Sequence, residues 1–244
     1  MKLLTTTELI KNKDQIDELT SSYYPEFILH DQITTTYWDK IYDLYPQFQL
    51  AYSKDHKIIA VGNSVPLNIE NYNNFNIDGW DWALEQSIFQ YNNQIKPNVL
   101  VGLSVVIDNE HQGKGKSKVV LSDFKKIAIQ SGFDRVIIPI RPINKHLYPL
   151  MNLEDYINQR INGLHIDPWI RTHENLGGKI ICICKNAMNI SGTIKEWEDW
   201  SGIKLLNDGK YHIQGSLAPL EVDIAKNYCI YNEPNIWIEY ILNN

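Results

Sequence analysis

The chain has 244 residues, 43% of them hydrophobic, 21% charged and 11% aromatic, with 23 Lys+Arg against 29 Asp+Glu and a formal charge of −6. That is a globular composition, long enough for one large domain or two small ones with a sizeable core. With no long Lys/Arg run it lacks the electrostatic footprint of a phosphate-backbone binder, and no nucleic-acid partner is expected.

The stretch from Met1 to Glu8 has no signal-peptide core, and no run of about 18 apolar residues occurs. A soluble, cytoplasmic protein without a membrane partner is expected. Cys182, Cys184 and Cys229 are an odd number in apolar, strand-like surroundings, which favours buried reduced thiols over a bridge. Cys182-Ile183-Cys184 is not a CxxC pair, so no metal is expected, and the Asn189-Ile190-Ser191 sequon carries no meaning in a cytoplasmic chain.

Helical spacing of apolar residues predicts helices over Thr7 to Leu19 and Thr36 to Leu44. Phe48 to Tyr52 and Lys57 to Ser64, joined by Lys54-Asp55-His56, read as a β-hairpin. A helix is expected from Asp78 to Tyr91, then a strand over the nearly continuous apolar run Val99 to Ile107. Lys116 to Gln130 carries Val120, Leu121, Phe124, Ile127 and Ala128 on one stripe and stops at Ser131-Gly132. With the strand Arg135 to Ile140 this makes a βαβ unit whose strands should be parallel.

From Arg141 to Asp167 the pattern is irregular, with Pro142, Pro149 and a short helix near Leu153 to Arg160, which reads as an insertion at one end of the sheet. A helix from Pro168 to Leu176, with Asp167 as N-cap, ends at Gly177-Gly178 before a strand Lys179 to Cys184. The remainder gives a helix near Thr193 to Trp200 and strands at Tyr211 to Gln214, Leu220 to Ile224, Tyr228 to Tyr231 and Ile236 to Ile241. The organisation expected is a core over 1–201, with its insertion at about 141–167, and a β-rich C-terminal extension over 202–244 packed on that core.

The richest stretch is Val105-Val106-Ile107, then Asp108 to His111, then Gln112-Gly113-Lys114-Gly115-Lys116-Ser117. A strand enters a glycine turn that opens directly into an amphipathic helix, whose unpaired N–H groups and partial positive charge suit a pyrophosphate. A Walker A loop is excluded because Glu110 stands where its first glycine would be. A dinucleotide fingerprint is excluded because Lys118 stands at its third glycine. His173-Glu174 starts no zincin motif, since Gly177 occupies the second histidine position.

Gln112-x-x-Gly115-x-Ser117 on a strand-to-helix junction resembles motif A (Q/R-x-x-G-x-G/A) of the GNAT superfamily of acyl-CoA-dependent N-acyltransferases, with Ser117 in place of the usual Gly or Ala. The element order over about residues 1–185 is similar too, and His173-Glu174-Asn175-Leu176-Gly177-Gly178 stands where the family's Tyr-x-x-Leu-Gly-Phe ends its later helix. The resemblance implies an α/β fold, a mixed sheet flanked by helices. It also implies acetyl-CoA or another acyl-CoA as co-substrate, lying between the strands Val99 to Ile107 and Arg135 to Ile140. The pyrophosphate would meet the backbone amides of Gly113 to Ser117, and the pantetheine would pair like an extra strand with main chain near Leu103 to Ile107, which makes Val105, Val106, Ile107, Gln112, Gly113, Lys114, Gly115, Lys116 and Ser117 the cofactor-binding candidates.

At the family's Tyr position stands His173, implied to protonate the departing thiolate; Tyr148 and His146 are rivals in the insertion. Glu85 and Asp81 are candidate bases. Asp78-Gly79-Trp80-Asp81-Trp82 is aromatic and acidic together, suited to a cationic acceptor or to the core, with Trp80 and Asp81 as substrate-binding candidates. Arg141, just past a parallel strand, either holds an acceptor carboxylate or pairs with Asp155 or Glu154. His165 to Trp169 is a further candidate acceptor wall. The activity implied is direct acyl transfer to a small-molecule or peptide amine, with a homodimer allowed. The alternatives are a GNAT-like decarboxylase or carrier-thiol transferase, whose loading domains resemble this chain at His-x-x-x-Gly-Gly, and a non-catalytic CoA-binding module.

Overall fold

The computed structural model describes residues 1–70 and 79–242. Its N-terminal part gives β1 (Lys2–Leu3), α1 (Thr6–Lys11), α2 (Lys13–Tyr23), α3 (Gln32–Tyr37) and α4 (Lys40–Leu44). The single expected first helix is two, because Asn12 leaves helical geometry at φ −108° and ψ 18° and spends its side-chain amide on the Glu8 carbonyl. Strands β2 (Gln49–Lys54) and β3 (Lys57–Leu67) form the expected hairpin. Asp55 and His56, both at positive φ (50° and 66°), make the two-residue turn whose twist suits paired strands.

Then come α5 (Gly79–Asn92), β4 (Val99–Ile107), α6 (Lys116–Gln130) and β5 (Arg135–Ile140). Asp78, expected to open α5, lies outside the described residues. The segment 141–167 holds α7 (Leu153–Tyr156) and a separate two-stranded ribbon, β6 (Arg160–Ile161) with β7 (Leu164–His165). Next are α8 (Pro168–Asn175), β8 (Lys179–Gly192), α9 (Ile194–Ser201), β9 (Gly209–Tyr211), β10 (Leu220–Asp223) and β11 (Tyr228–Ile241). Asp167 caps α8 as expected, its Oδ1 accepting the N–H groups of Trp169 and Ile170.

One mixed sheet takes nine of these strands, in the order β1-β2-β3-β4-β5-β11-β10-β9 with β8 along the other edge of β11. β4 and β5 are parallel, as the βαβ reading requires. The C-terminal segment is β-rich, and β11 threads the interior of the sheet between β5 and β8 rather than lying against a finished core. Two strands were expected where β11 is continuous. Pro234, which has no N–H to give, falls at a register shift where β8 carries the extra residues Lys185, Asn186 and Ala187.

α6 buries Val120, Leu121, Phe124 and Ala128 against the sheet. Gly62 of β3 is what lets it approach, for a Cβ there would sit 2.4 Å from Cγ1 of Val120. Each such buried apolar side chain contributes roughly 1.5–3 kcal/mol relative to exposure. Among the described residues no helix is long and apolar enough to cross a membrane.

Candidate active site

Pairing between β4 and β5 consists of Leu100 with Val136 and Val101 with Ile137, after which the strands part. The cause lies in β4, where Asn63 faces Ser104 and Ser64 faces Gly102, leaving Leu103 as an extra residue. A bulge adds twist and turns its strand aside. The indole N–H of Trp80 donates to the Leu103 carbonyl at 2.8 Å and holds the bulge from the α5 side. A cavity of about 910 Å³ fills the gap, with Leu103, Ser104, Val105 and Ile107 on one wall and Ile138, Pro139 and Ile140 on the other.

At the far end of β4 the cavity reaches Gln112, Gly113, Gly115, Lys116, Ser117 and Lys118. Gly113 and Gly115 have φ of +70° and +71°, and a Cβ on either would meet nothing within 4 Å. The turn therefore needs glycine for its backbone, and it presents that backbone to open space. Gly115 is the N-cap of α6 but offers no side-chain cap, and the first turn of α6 has no acidic residue. Its free amides and dipole are left for an external anion. Gln112 ties the turn down by donating to the Ile107 carbonyl (3.1 Å) and to Asn109 (2.9 Å). Nearby, ligand atoms of Asp108, Glu110 and His111 approach one another within 4.8 Å, but Asp108 is already engaged by Lys57 and His111.

The other end is polar. Ser104, Tyr23, Tyr24, Arg141, His146, Glu233 and Asn235 all line it. Tyr24, extended because Pro25 follows it, hydrogen-bonds Ser104 at 3.2 Å. Burial pushes the Tyr24 hydroxyl up to about 12. Arg141 Nε lies 2.5 Å from Oε1 of Glu233, a fully buried carboxylate, and Nη2 donates to the Gly215 carbonyl at 2.5 Å. Burial pushes the Glu233 carboxyl upward against the pull of Arg141. The Tyr231 hydroxyl donates to the other oxygen of Glu233. His146 Nδ1 is 2.7 Å from the Ile143 carbonyl, which can only accept, so neutral His146 carries its proton there and offers Nε2 as acceptor.

The structure brings together most of the residues singled out from sequence and separates the rest. Val105, Ile107, Gln112, Gly113, Gly115, Lys116 and Ser117 border the cavity, as do Trp80 and Arg141. Val106 is fully buried on the opposite face of β4, and Lys114 turns back to donate to the Glu110 carbonyl. Asp81 lies outside the lining and accepts the Asn189 N–H; burial, then repulsion from Asp31, raises it to about 8. Glu85 is exposed. Arg141 pairs with neither Asp155 nor Glu154, since Glu154 is taken by Lys185.

Both residues expected to act as acids are away from the cavity. Tyr148 is exposed at 43% and packs on Tyr156. His173 is wholly buried, packed edge-on against Trp169 and hydrogen-bonded to Tyr240, and burial depresses it to about 3. Its helix presents Trp169 and Thr172 to the cavity instead. The sequence reading missed Tyr24, Glu233 and Asn235. The polar Glu233-Pro234-Asn235 inside an apolar strand was the available signal, and it read as a turn.

No family model matches the chain. It is similar to the arginine N-acetyltransferase avaD of Aspergillus versicolor, 28% identical over 247 residues that cover 89% of this chain and 85% of the relative. Among solved structures it is similar to the GNAT-like decarboxylase GphF in complex with isobutyryl-CoA (TM-score 0.58, 13% identity, 99% and 98% of the two chains). It is also similar to the loading GNATL domain of CurA from Lyngbya majuscula (TM-score 0.54, 20% identity, 83% and 82%). The chain has the GNAT fold. In this GNAT-fold chain the parted strands, the glycine turn and the buried polar end line one continuous cavity.

Proposed function

We propose that the chain is an acyl-CoA-dependent N-acyltransferase that moves an acetyl group to the amine of a small molecule of the arginine class. One observation carries the reading: a single cavity joins an uncapped helix start behind two left-handed glycines to a cluster of buried polar side chains. The arginine named for the relative agrees with it.

The main chain of Gly113 to Ser117 is suited to the pyrophosphate, and β4 beyond Val101, unpaired toward β5 among the described residues, offers amides and carbonyls to a pantetheine arm. The thioester supplies the activated acyl carbon. His146 Nε2 takes the proton of the acceptor ammonium, the freed amine forms the C–N bond, the C–S bond breaks, the Tyr24 hydroxyl, protonated at neutral pH, gives its proton to the thiolate, and the second proton shed by the nitrogen as the amide forms restores the Tyr24 hydroxyl. No cysteine borders the cavity among the described residues, which supports direct transfer over a covalent intermediate. Trp38 and Trp80, stacked with centroids 5.8 Å apart, form an aromatic wall for a cationic acceptor. Unpaired cysteines fit a reducing cytoplasm.

Titration of acetyl-CoA into the wild type and into Gly113→Val/Gly115→Val tests the reading. Valine at a left-handed position costs about 1–2 kcal/mol per residue, so the turn should change shape and affinity fall about tenfold or more while the far-ultraviolet dichroism is kept. Equal affinities would overturn the placement of CoA.

A further inference from the structure

We infer that Arg141 anchors the carboxylate of the acceptor, so that the enzyme acts on a free amino acid and discriminates against the same amine without its carboxylate. The inference rests on the N-acyltransferase reading above and narrows its substrate class. A guanidinium has five N–H donors in a rigid fork. Here Nε faces Glu233 and Nη2 donates to the Gly215 carbonyl, while Nη1 makes no hydrogen bond among the described residues. Nη1 is also absent from the buried atoms that lack partners, so it opens to the cavity that Arg141 borders. The free N–H groups of Nη1 suit a carboxylate oxygen, the charged acceptor that arginine binds with strong, charge-assisted hydrogen bonds.

Glu233 explains why the side chain stays there. It is wholly buried on β11, with one oxygen against Arg141 and the other accepting from Tyr231, whose hydroxyl also accepts the Leu217 N–H at 2.9 Å. That chain of bonds fixes the carboxylate, and the carboxylate fixes the guanidinium. Glu233 is therefore a positioning residue, and the exposed part of Arg141 is the part that meets the ligand. The site lies at the end of β5, where parallel strands of an open sheet commonly receive ligands.

The test compares CoA release from acetyl-CoA with L-arginine, L-argininamide and agmatine, which share the guanidinium and an amine and differ in the carboxylate. Wild type should prefer arginine over both analogues in kcat/KM by about 10–10²-fold, the range for a charge-assisted bond pair. Arg141→Met alone strands Glu233 as an unpaired buried carboxylate. The paired variant Arg141→Met/Glu233→Gln removes both charges, and in it the preference should fall to about one. Glu233→Gln alone should raise KM for arginine more than it lowers kcat. Equal use of arginine, argininamide and agmatine by the wild type would overturn the inference and leave N-acyl transfer standing. Release of carbon dioxide from malonyl-CoA in place of any acyl transfer to amines would overturn both.

Discussion

The imidazole of His173 lies 2.7 Å from the Tyr240 hydroxyl through Nδ1, and its Nε2 is buried without a hydrogen-bond partner among the described residues. A helix-borne histidine is thereby clamped to the last strand of the sheet. Its place between Trp169 and Tyr240 is a packing role. His173→Ala should cost about 2–4 kcal/mol of stability by leaving a cavity, while turnover per folded molecule changes by less than the 10²–10⁴-fold expected of a catalytic acid. Denaturant midpoints and active-site-normalised rates check the two halves.

The same residue makes the protein acid-sensitive. Its proton affinity is depressed from the ordinary histidine value to about 3 by burial, with the Lys125 charge adding to it. The unfolded chain therefore binds a proton that the native state refuses, and stability falls as pH drops from about 6.5 toward about 3. His173→Phe should flatten that part of the stability curve, as read from thermal midpoints across the window.

Asp81 acts in the opposite pH range. Its carboxyl is protonated in the native state up to about pH 8, whereas in the unfolded chain it ionises near pH 4. Unfolding releases a proton between those values, so stability declines as pH rises through them. Asp81→Asn, which keeps an acceptor for the Asn189 N–H, should remove that decline and gain on the wild type more at pH 8 than at pH 5. Parallel pH dependences for the two proteins would contradict the buried, protonated assignment.

Much of this architecture can be read from residue order. The apolar run Val99 to Ile107, the stripe on α6 and the strand Arg135 to Ile140 announce a parallel βαβ unit because two nearly continuous apolar runs flank a long helix with a clean stripe. What hides is whatever depends on a distant partner. Lys185-Asn186 looks like the end of a strand, yet β8 continues to Gly192 because it bulges opposite Pro234. His173 shares a helical face with buried Ile170, three residues away, whereas Trp169 and Thr172 face the cavity. That spacing was visible, but which face met solvent depended on Tyr240, 67 residues on.

Gly62 tests the packing of the motif helix. Alanine there would place its Cβ 2.4 Å from Val120 Cγ1 and 3.0 Å from Phe124 Cζ. Overpacking of this kind typically costs about 1–3 kcal/mol, and because it tilts α6 it should also weaken acetyl-CoA binding. Stability measured by urea denaturation and affinity by calorimetry should fall together.

Tyr24→Phe removes the hydroxyl proposed as the proton donor while keeping the ring. Turnover should drop by about 10²-fold or more with acetyl-CoA affinity nearly unchanged, as measured by steady-state rates beside equilibrium binding. Ser104→Ala, which removes the Tyr24 hydrogen-bond partner, should have a smaller effect in the same direction.

The most direct measurement is the stoichiometry of one reaction: acetyl-CoA and arginine incubated with the enzyme, with free CoA thiol and acetylated arginine counted together. The account predicts one acetylated amine for each thiol released, and release that stops when the amine is withheld. Thiol release that continues without the amine, or that yields no acetylated arginine, would contradict it.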